Sequence, residues 1–192
     1  MKIALISVAY PYRGGISAHS STLFKYLIDE KHDVEIINYS RQYPDFLFPG
    51  KNQFSDEKLI PSNMLIDSIN PRSWFKTVNF ILSIQPDVVI FRFWNPFFGI
   101  ALGTIAKYLK KRKFSKPLIS ICDNIIPHES FFGSKILTKY FLNNMDGFLV
   151  QSESVKDELK LFKPNAIIAK RFHPIYNIYG KKIDKIIAKK EL

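Results

Sequence analysis

Short runs of β-branched and apolar residues recur along the whole chain, each closed by turn residues and most of them followed by a stretch of helical periodicity. No other feature narrows the accessible folds so far. Residues 2–9, 34–37, 88–93, 118–122, 147–150 and 165–169 read as strands, six in all. Apolar residues fall at helical spacing over 16–29, 71–84, 97–113, 135–144 and 152–162. Strands separated by helices pair in parallel through crossovers, because a tight hairpin has no room for a helix. The expected architecture is α/β, a Rossmann-like doubly wound parallel sheet, and 192 residues suffice for one such domain with a substantial core. Ser68 or Asn70 is placed to cap the helix that opens at Pro71, and Ser152 with Glu153 gives the last helix a hydroxyl cap and a first-turn acid. Residues 41–61 break the rhythm with three prolines, Phe46, Phe48 and the charged patch around Asp56. A connection of that length is functional or disordered, and its aromatic content favours a structured one.

Composition matters where partners are concerned. The longest apolar window, 95–106, stops at Lys107, short of the ~20 residues a membrane helix needs. Met1 leads straight into the first strand without a cleavable apolar segment, and the single Cys122 cannot form an internal disulfide; both point to the cytoplasm. Net charge is +11, and Lys107, Lys110, Lys111, Arg112, Lys113 and Lys116 follow one another without an acid. This cluster reads either as a solvated helix end whose cations suit the helix dipole or as a contact for an anionic surface. A membrane fits better than nucleic acid, since the chain has no zinc spacing and no RNP-like aromatic motif. The expectation is a cytoplasmic protein, peripheral at the inner membrane leaflet, with no nucleic-acid partner.

Where parallel strands end, side chains face the binding crevice of an open α/β sheet. The strand 118–122 runs into Asp123, Asn124, Pro127, His128 and Glu129. A titratable base and several acceptors around a rigid proline turn favour chemistry over a plain solvent-facing turn. Gly14 and Gly15 occupy the first strand-to-helix turn, where backbone amides can meet a phosphate, although two glycines in such a turn are more often structural. Neither GxGxxG nor a Walker lysine is present, so dinucleotide and ATP fingerprints are absent. His19, His32, His128 and His173 show no paired spacing and Cys122 has no CxxC partner, which argues against a metal. No GxSxG elbow supplies a serine nucleophile. Arg41, Arg92 and Arg171 are candidates for holding an anionic group, and Trp94 for stacking on a sugar or lipid-linked group. Arg92 lies inside an expected strand and needs a partner if buried.

The segments PYRGGISAHSSTLFKYLIDEKHDVEIINYS, RQYPDFLFPG, WNPFFGIALG, DNIIPHES, FLVQSESVKDEL and HPIYNIYG, in that order, resemble the N-terminal domain of a GT-B fold retaining glycosyltransferase of family 4. The resemblance covers nearly the whole chain. It implies two Rossmann-like domains facing each other across a cleft, the first binding mainly the acceptor and the second the nucleotide sugar. It further implies that Gly14 and Gly15 approach the donor diphosphate, and that Asp123, Asn124 and His128 sit near the transferred sugar as catalytic candidates. Arg41, Trp94, Glu129 and Arg171 fall to the acceptor side. Relatives often carry histidine where this chain has Asp123, so the catalytic role stays open between His128 and Asp123. Residues 1–180 correspond to the N-terminal domain and 181–192 to the start of the interdomain linker. The family's donor site uses two glutamates seven residues apart, and Glu30, Glu35, Glu57, Glu129, Glu153, Glu158 and Glu191 include no such pair. The resemblance thus implies the acceptor-binding half of a transferase for cell-surface polysaccharide or glycan assembly, truncated or split, and inactive alone. Its partners would be a nucleotide sugar, a glycan or lipid-linked acceptor, an anionic membrane surface and a separate donor-binding domain, with no metal and no other cofactor. The alternative is a non-catalytic Rossmann-like module that binds a glycan or a protein partner.

Overall fold

The computed structural model describes residues 1–44, 53–54, 60–126 and 131–172. β1 (Lys2–Ile6), α1 (Gly15–Asp29) and β2 (Asp33–Arg41) form an opening βαβ unit, with Lys2 to Ile6 in register against Asp33 to Ile37. There follow β3 (Asn63–Asp67), α2 (Pro71–Ile84), β4 (Val88–Phe93), a 3-10 turn (Pro96–Phe98), α3 (Gly99–Lys111) and β5 (Leu118–Cys122). The chain then runs through α4 (Ser134–Leu142), β6 (Gly147–Val150), α5 (Glu153–Phe162) and β7 (Ile168–Lys170). All pairings among the seven described strands are parallel, in the order β3-β2-β1-β4-β5-β6-β7.

From β1 the chain steps outward to β2 and β3, returns across β1 to β4, then steps out on the other side. Right-handed crossovers turn that reversal into a two-faced packing, with α1 on one face and α2 to α5 on the other. The larger core lies under α2 to α5 and is built on Phe91, Phe93, Phe98, Leu102, Leu109 and Phe141. The smaller one gathers Ile3, Leu5 and Ile36 beneath Leu23, Phe24 and Leu27 of α1. Strand order reverses between β1 and β4, and the crevice of such a sheet opens there, outside the carboxyl ends of the strands.

Local signals set the element ends. Asn70 accepts a hydrogen bond from Arg72 N with Pro71 at the first helical position, and Ser152 accepts one from Val155 N. α3 and α4 approach closely because α3 carries glycine where they touch. A Cβ on Gly99 would lie 2.6 Å from Leu137 O, and one on Gly103 would lie 2.7 Å from a Tyr140 ring carbon.

Several expectations differ from the fold: β1 ends at Ile6 rather than at residue 9, and β2 covers Asp33–Arg41 rather than 34–37. β3 was not among the six expected strands: it is five residues long, on an edge, and paired to β2 with register shifts. β7 covers 168–170 rather than 165–169, and the helix expected from residue 97 opens as a 3-10 turn. α3 descends from the crevice edge, so its basic end, with Lys110, Lys111, Arg112, Lys113 and Lys116, lies at the opposite edge of the sheet. Thirteen residues at 1.5 Å each separate the two edges by roughly 20 Å. Among the described residues, no helix is long and apolar enough to cross a membrane.

Candidate functional site

At the carboxyl end of β1 a short loop feeds α1. Asn38 of β2 holds it, accepting from Ala9 N at 3.3 Å and donating to Ala9 O at 3.1 Å. Ser21 accepts from Tyr10 N at 3.1 Å, and the hydroxyls of Ser7 and Ser20 meet at 2.7 Å. Gly14 is the N-cap, at φ 117° and ψ 164°, a conformation open essentially to glycine alone. A Cβ at either Gly14 or Gly15 would meet nothing within 4 Å, and the first turn of α1 has neither an acid nor a side-chain cap. The start of α1 is thus positively polarised, with space above both glycines for a group to approach.

Beneath it lies Arg92 of β4, 1% exposed and pointing to the α1 side. Its Nε and Nη2 donate to the two carboxylate oxygens of Asp123 at 2.7 and 2.5 Å, a bidentate pair across the ends of β4 and β5. Its Nη1 donates to Nδ1 of the buried His19, on the second turn of α1. His19 Nε2 in turn lies 3.2 Å from the side-chain nitrogen Nε2 of Gln151, just past β6. One guanidinium therefore ties the Gly14–Gly15 helix to the turn after β5. Together with the neighbouring strand ends, His19, Gln151 and Arg171 line a cleft of about 240 Å³ whose walls include Ile121 and Leu149.

The other expected residues fall as follows. Asp123 is in this cluster, and Asn124 is exposed beside it. Ile125 is buried and Ile126 N donates to Glu158 at 3.1 Å, which holds the turn up to that point. His128 and Glu129 lie outside the described residues, as do residues 173–192, which include the expected linker. Arg41 forms a two-point pair with Asp67 at the ends of β2 and β3. Trp94 does not stand open for stacking: it is 8% exposed, with its ring on Phe98 at 4.4 Å and its Nε1 toward the Tyr43 hydroxyl. Packing takes it because it follows a fully buried strand end and precedes the buried Phe98.

Two members of the cluster carry little sequence signal. The sign of His19 is its place four residues after Gly15, in a run of small residues, Ser17 to Ser21, that faces the sheet. Gln151 has none beyond following a strand. Burial also silences nearby groups: it pushes the Cys122 thiol up to about 12, and it raises the phenols of Tyr39, Tyr43 and Tyr12 above their ordinary value. No group of three or more His, Cys, Asp or Glu converges among the described residues.

Known proteins share this frame. UDP-GlcNAc 2-epimerase from Methanocaldococcus jannaschii is similar over 88% of this chain and 45% of its own, with a TM-score of 0.56 and 15% identity. An alpha-glucosyltransferase solved with UDP and a 13-mer DNA matches over 91% and 43%, with a TM-score of 0.56 and 12% identity. Acinetobacter baumannii MurG matches over 94% and 48%, with a TM-score of 0.52 and 14% identity. The chain thus spans less than half the length of these structures, and its fold is one half of a GT-B fold. No curated protein matches the sequence. The sequence profile of Glycosyltransferase Family 4 matches residues 13–179, most of the chain and all of the cluster around Arg92, and the chain belongs to that family.

Proposed function

We propose that this domain is the acceptor-binding half of a nucleotide-sugar-dependent glycosyltransferase that works in cell-surface polysaccharide or glycan assembly. The observation that carries the reading is the convergence, at the carboxyl edge of a family 4 domain, of the uncrowded glycine turn at Gly14–Gly15 with the Arg92–Asp123–His19 cluster. The helix start suits the leaving diphosphate, whose charge the amides and the helix dipole stabilise as the glycosidic bond to it breaks. A second Rossmann-like domain would hold the sugar nucleotide across the crevice, and transfer to an acceptor hydroxyl would proceed with retention of configuration. Asp123 is committed to Arg92, which leaves His128 and the exposed Asn124 to meet the transferred sugar. Arg41 and Arg171 stand at the acceptor side.

The basic end of α3 is the surface we assign to an anionic membrane leaflet. It lies at the far edge of the sheet, so a lipid-linked acceptor would have to extend roughly 20 Å from the bilayer to reach the crevice. Retention on anionic liposomes at low salt, lost at high salt, tests that contact. The transferase reading is tested by assaying the chain with a panel of nucleotide sugars, alone and with a donor-binding domain added. Turnover is expected only with both present, and turnover by the chain alone would sink the division of labour.

A further inference from the structure

Helices α2, α3 and α4 cover the face of the sheet away from α1, and none of them contains an aspartate or a glutamate. Their outward sides carry Arg72, Lys76, Lys107, Lys111, Lys135 and Lys139, all exposed. The next helix, α5, has the mixed charge of an ordinary solvated surface, with Glu153, Asp157 and Glu158 among Lys156 and Lys160. Aromatic rings close the seams between the three acid-free helices. Phe75 of α2 meets Tyr108 of α3 edge-on at 4.7 Å, and the Thr104 hydroxyl of α3 lies 3.1 Å from that of Tyr140 in α4. Lys111 and Lys107 sit over those two tyrosine rings, at 5.5 and 5.9 Å. Asp146, beyond the end of α4, is held by Lys110 at 2.6 Å. Exposed apolar side chains stand at the starts of the same helices, which is the crevice edge. Ile100 is the second residue of α3, Ile136 the third of α4 and 71% exposed, and Phe132, fully exposed, comes just before α4.

We propose that the outer face of α2, α3 and α4 is a membrane-binding surface that lies on an anionic leaflet, with Phe132, Ile136 and Ile100 entering the boundary between headgroups and acyl chains. Charge selects the partner. A face of cations without acids complements anionic phospholipids, and lysine stems lie along apolar surface while their ammonium groups reach phosphate. A second copy of this chain, docked face to face, would bring like charges together. The apolar tip gains by leaving water, as the apolar side of an interfacial helix does. The contact extends the one assigned to the basic end of α3 and runs the length of that helix to the crevice. A lipid-linked acceptor then enters at the edge where the apolar residues stand, without first crossing roughly 20 Å. That such an acceptor is used rests on the transferase reading above; the membrane surface does not.

The test uses the full 192-residue chain. Phe132→Trp places a fluorescent reporter at a fully exposed position, and the parent's own emission, from the buried Trp74 and Trp94, is subtracted. With vesicles of phosphatidylcholine and phosphatidylglycerol the reporter's emission should move to the blue and be quenched by brominated acyl chains. A reporter on the opposite face, Ile28→Trp on α1, should stay unmoved. Lys135→Glu with Lys139→Glu should weaken vesicle binding about tenfold or more, since two charges at the leaflet are reversed. A position-132 reporter that stays in water while the chain is retained on vesicles would confine the contact to the far end of α3 and overturn the proposal. Binding abolished by Arg112→Glu with Lys116→Glu, yet untouched by Lys135→Glu with Lys139→Glu, would do the same. A reporter already shielded without vesicles would show the face covered by protein, and a chain that ignores vesicles altogether would leave it solvated; each overturns the proposal. A chain that transfers no sugar in any assay leaves these readouts intact, so the two readings fail separately.

Discussion

A guanidinium that is 1% exposed depends on its neighbours for every hydrogen bond, and those of Arg92 come from residues remote in sequence. Arg92→Met strips the Asp123 carboxylate of its counter-ion and should cost about 3–5 kcal/mol, the usual loss when one partner of a buried pair is removed. Adding Asp123→Asn to Arg92→Met should recover part of that loss, because no charge is then stranded. Urea denaturation of both single variants and the double one measures the coupling, and strict additivity would contradict it. Cys122, fully buried and with its thiol pushed up to about 12, should resist a thiol reagent at pH 8 in the native protein and react fully once guanidinium unfolds it. At this scale the sequence shows that a strand arginine needs a partner, but not which one. Asp123 lies 31 positions away and His19 73, and only the order of strands brings them together.

Among the elements, the two glycine pairs behave differently. Gly14→Ala forces a Cβ into a backbone conformation that only glycine adopts freely and should cost about 1–3 kcal/mol, although the space around it is open. Gly15→Ala has open space and no such backbone demand, so its melting temperature should stay close to that of the parent. Gly99→Ala meets a backbone carbonyl at 2.6 Å, which cannot rotate aside, and should lose about 1–3 kcal/mol as α3 and α4 are pushed apart. Thermal melts of these three variants side by side separate strain from crowding. Most elements are legible in the sequence because their periodicity, Pro71 and the caps at Asn70 and Ser152 agree. β3 is hidden because five residues with mixed exposure carry too little alternation to stand out beside a long aromatic connection. Trp94 misleads for a related reason: an aromatic residue after a strand looks the same in sequence whether it lines a crevice or closes a core.

For the molecule as a whole, the buried phenols set an upper limit on pH. Tyr39, Tyr12 and Tyr43 all hold their protons more tightly folded than at the ordinary value of 10.0. The stability they contribute is complete below that value and is lost as pH climbs through the folded values, since the unfolded chain releases these protons first. Stability should therefore fall above pH 10, with the tyrosinate absorbance of these residues appearing together with unfolding; their early titration in a still-folded protein would contradict this. The same whole-molecule view shows what the sequence can and cannot convey about the site. The strand-end residues announce a crevice, whereas the cluster of Arg92, Asp123 and His19 exists only once the strands are in order. Both outer strands are poor templates for another strand. β3 pairs irregularly, and β7 is three residues long, roughly 10 Å, with Lys170 at its end. A second domain, or a second copy, has little exposed backbone to add itself to. Among the described residues, growth of this sheet by strand addition is therefore disfavoured at both edges, and contacts with a companion fall to the helix faces and strand-end loops.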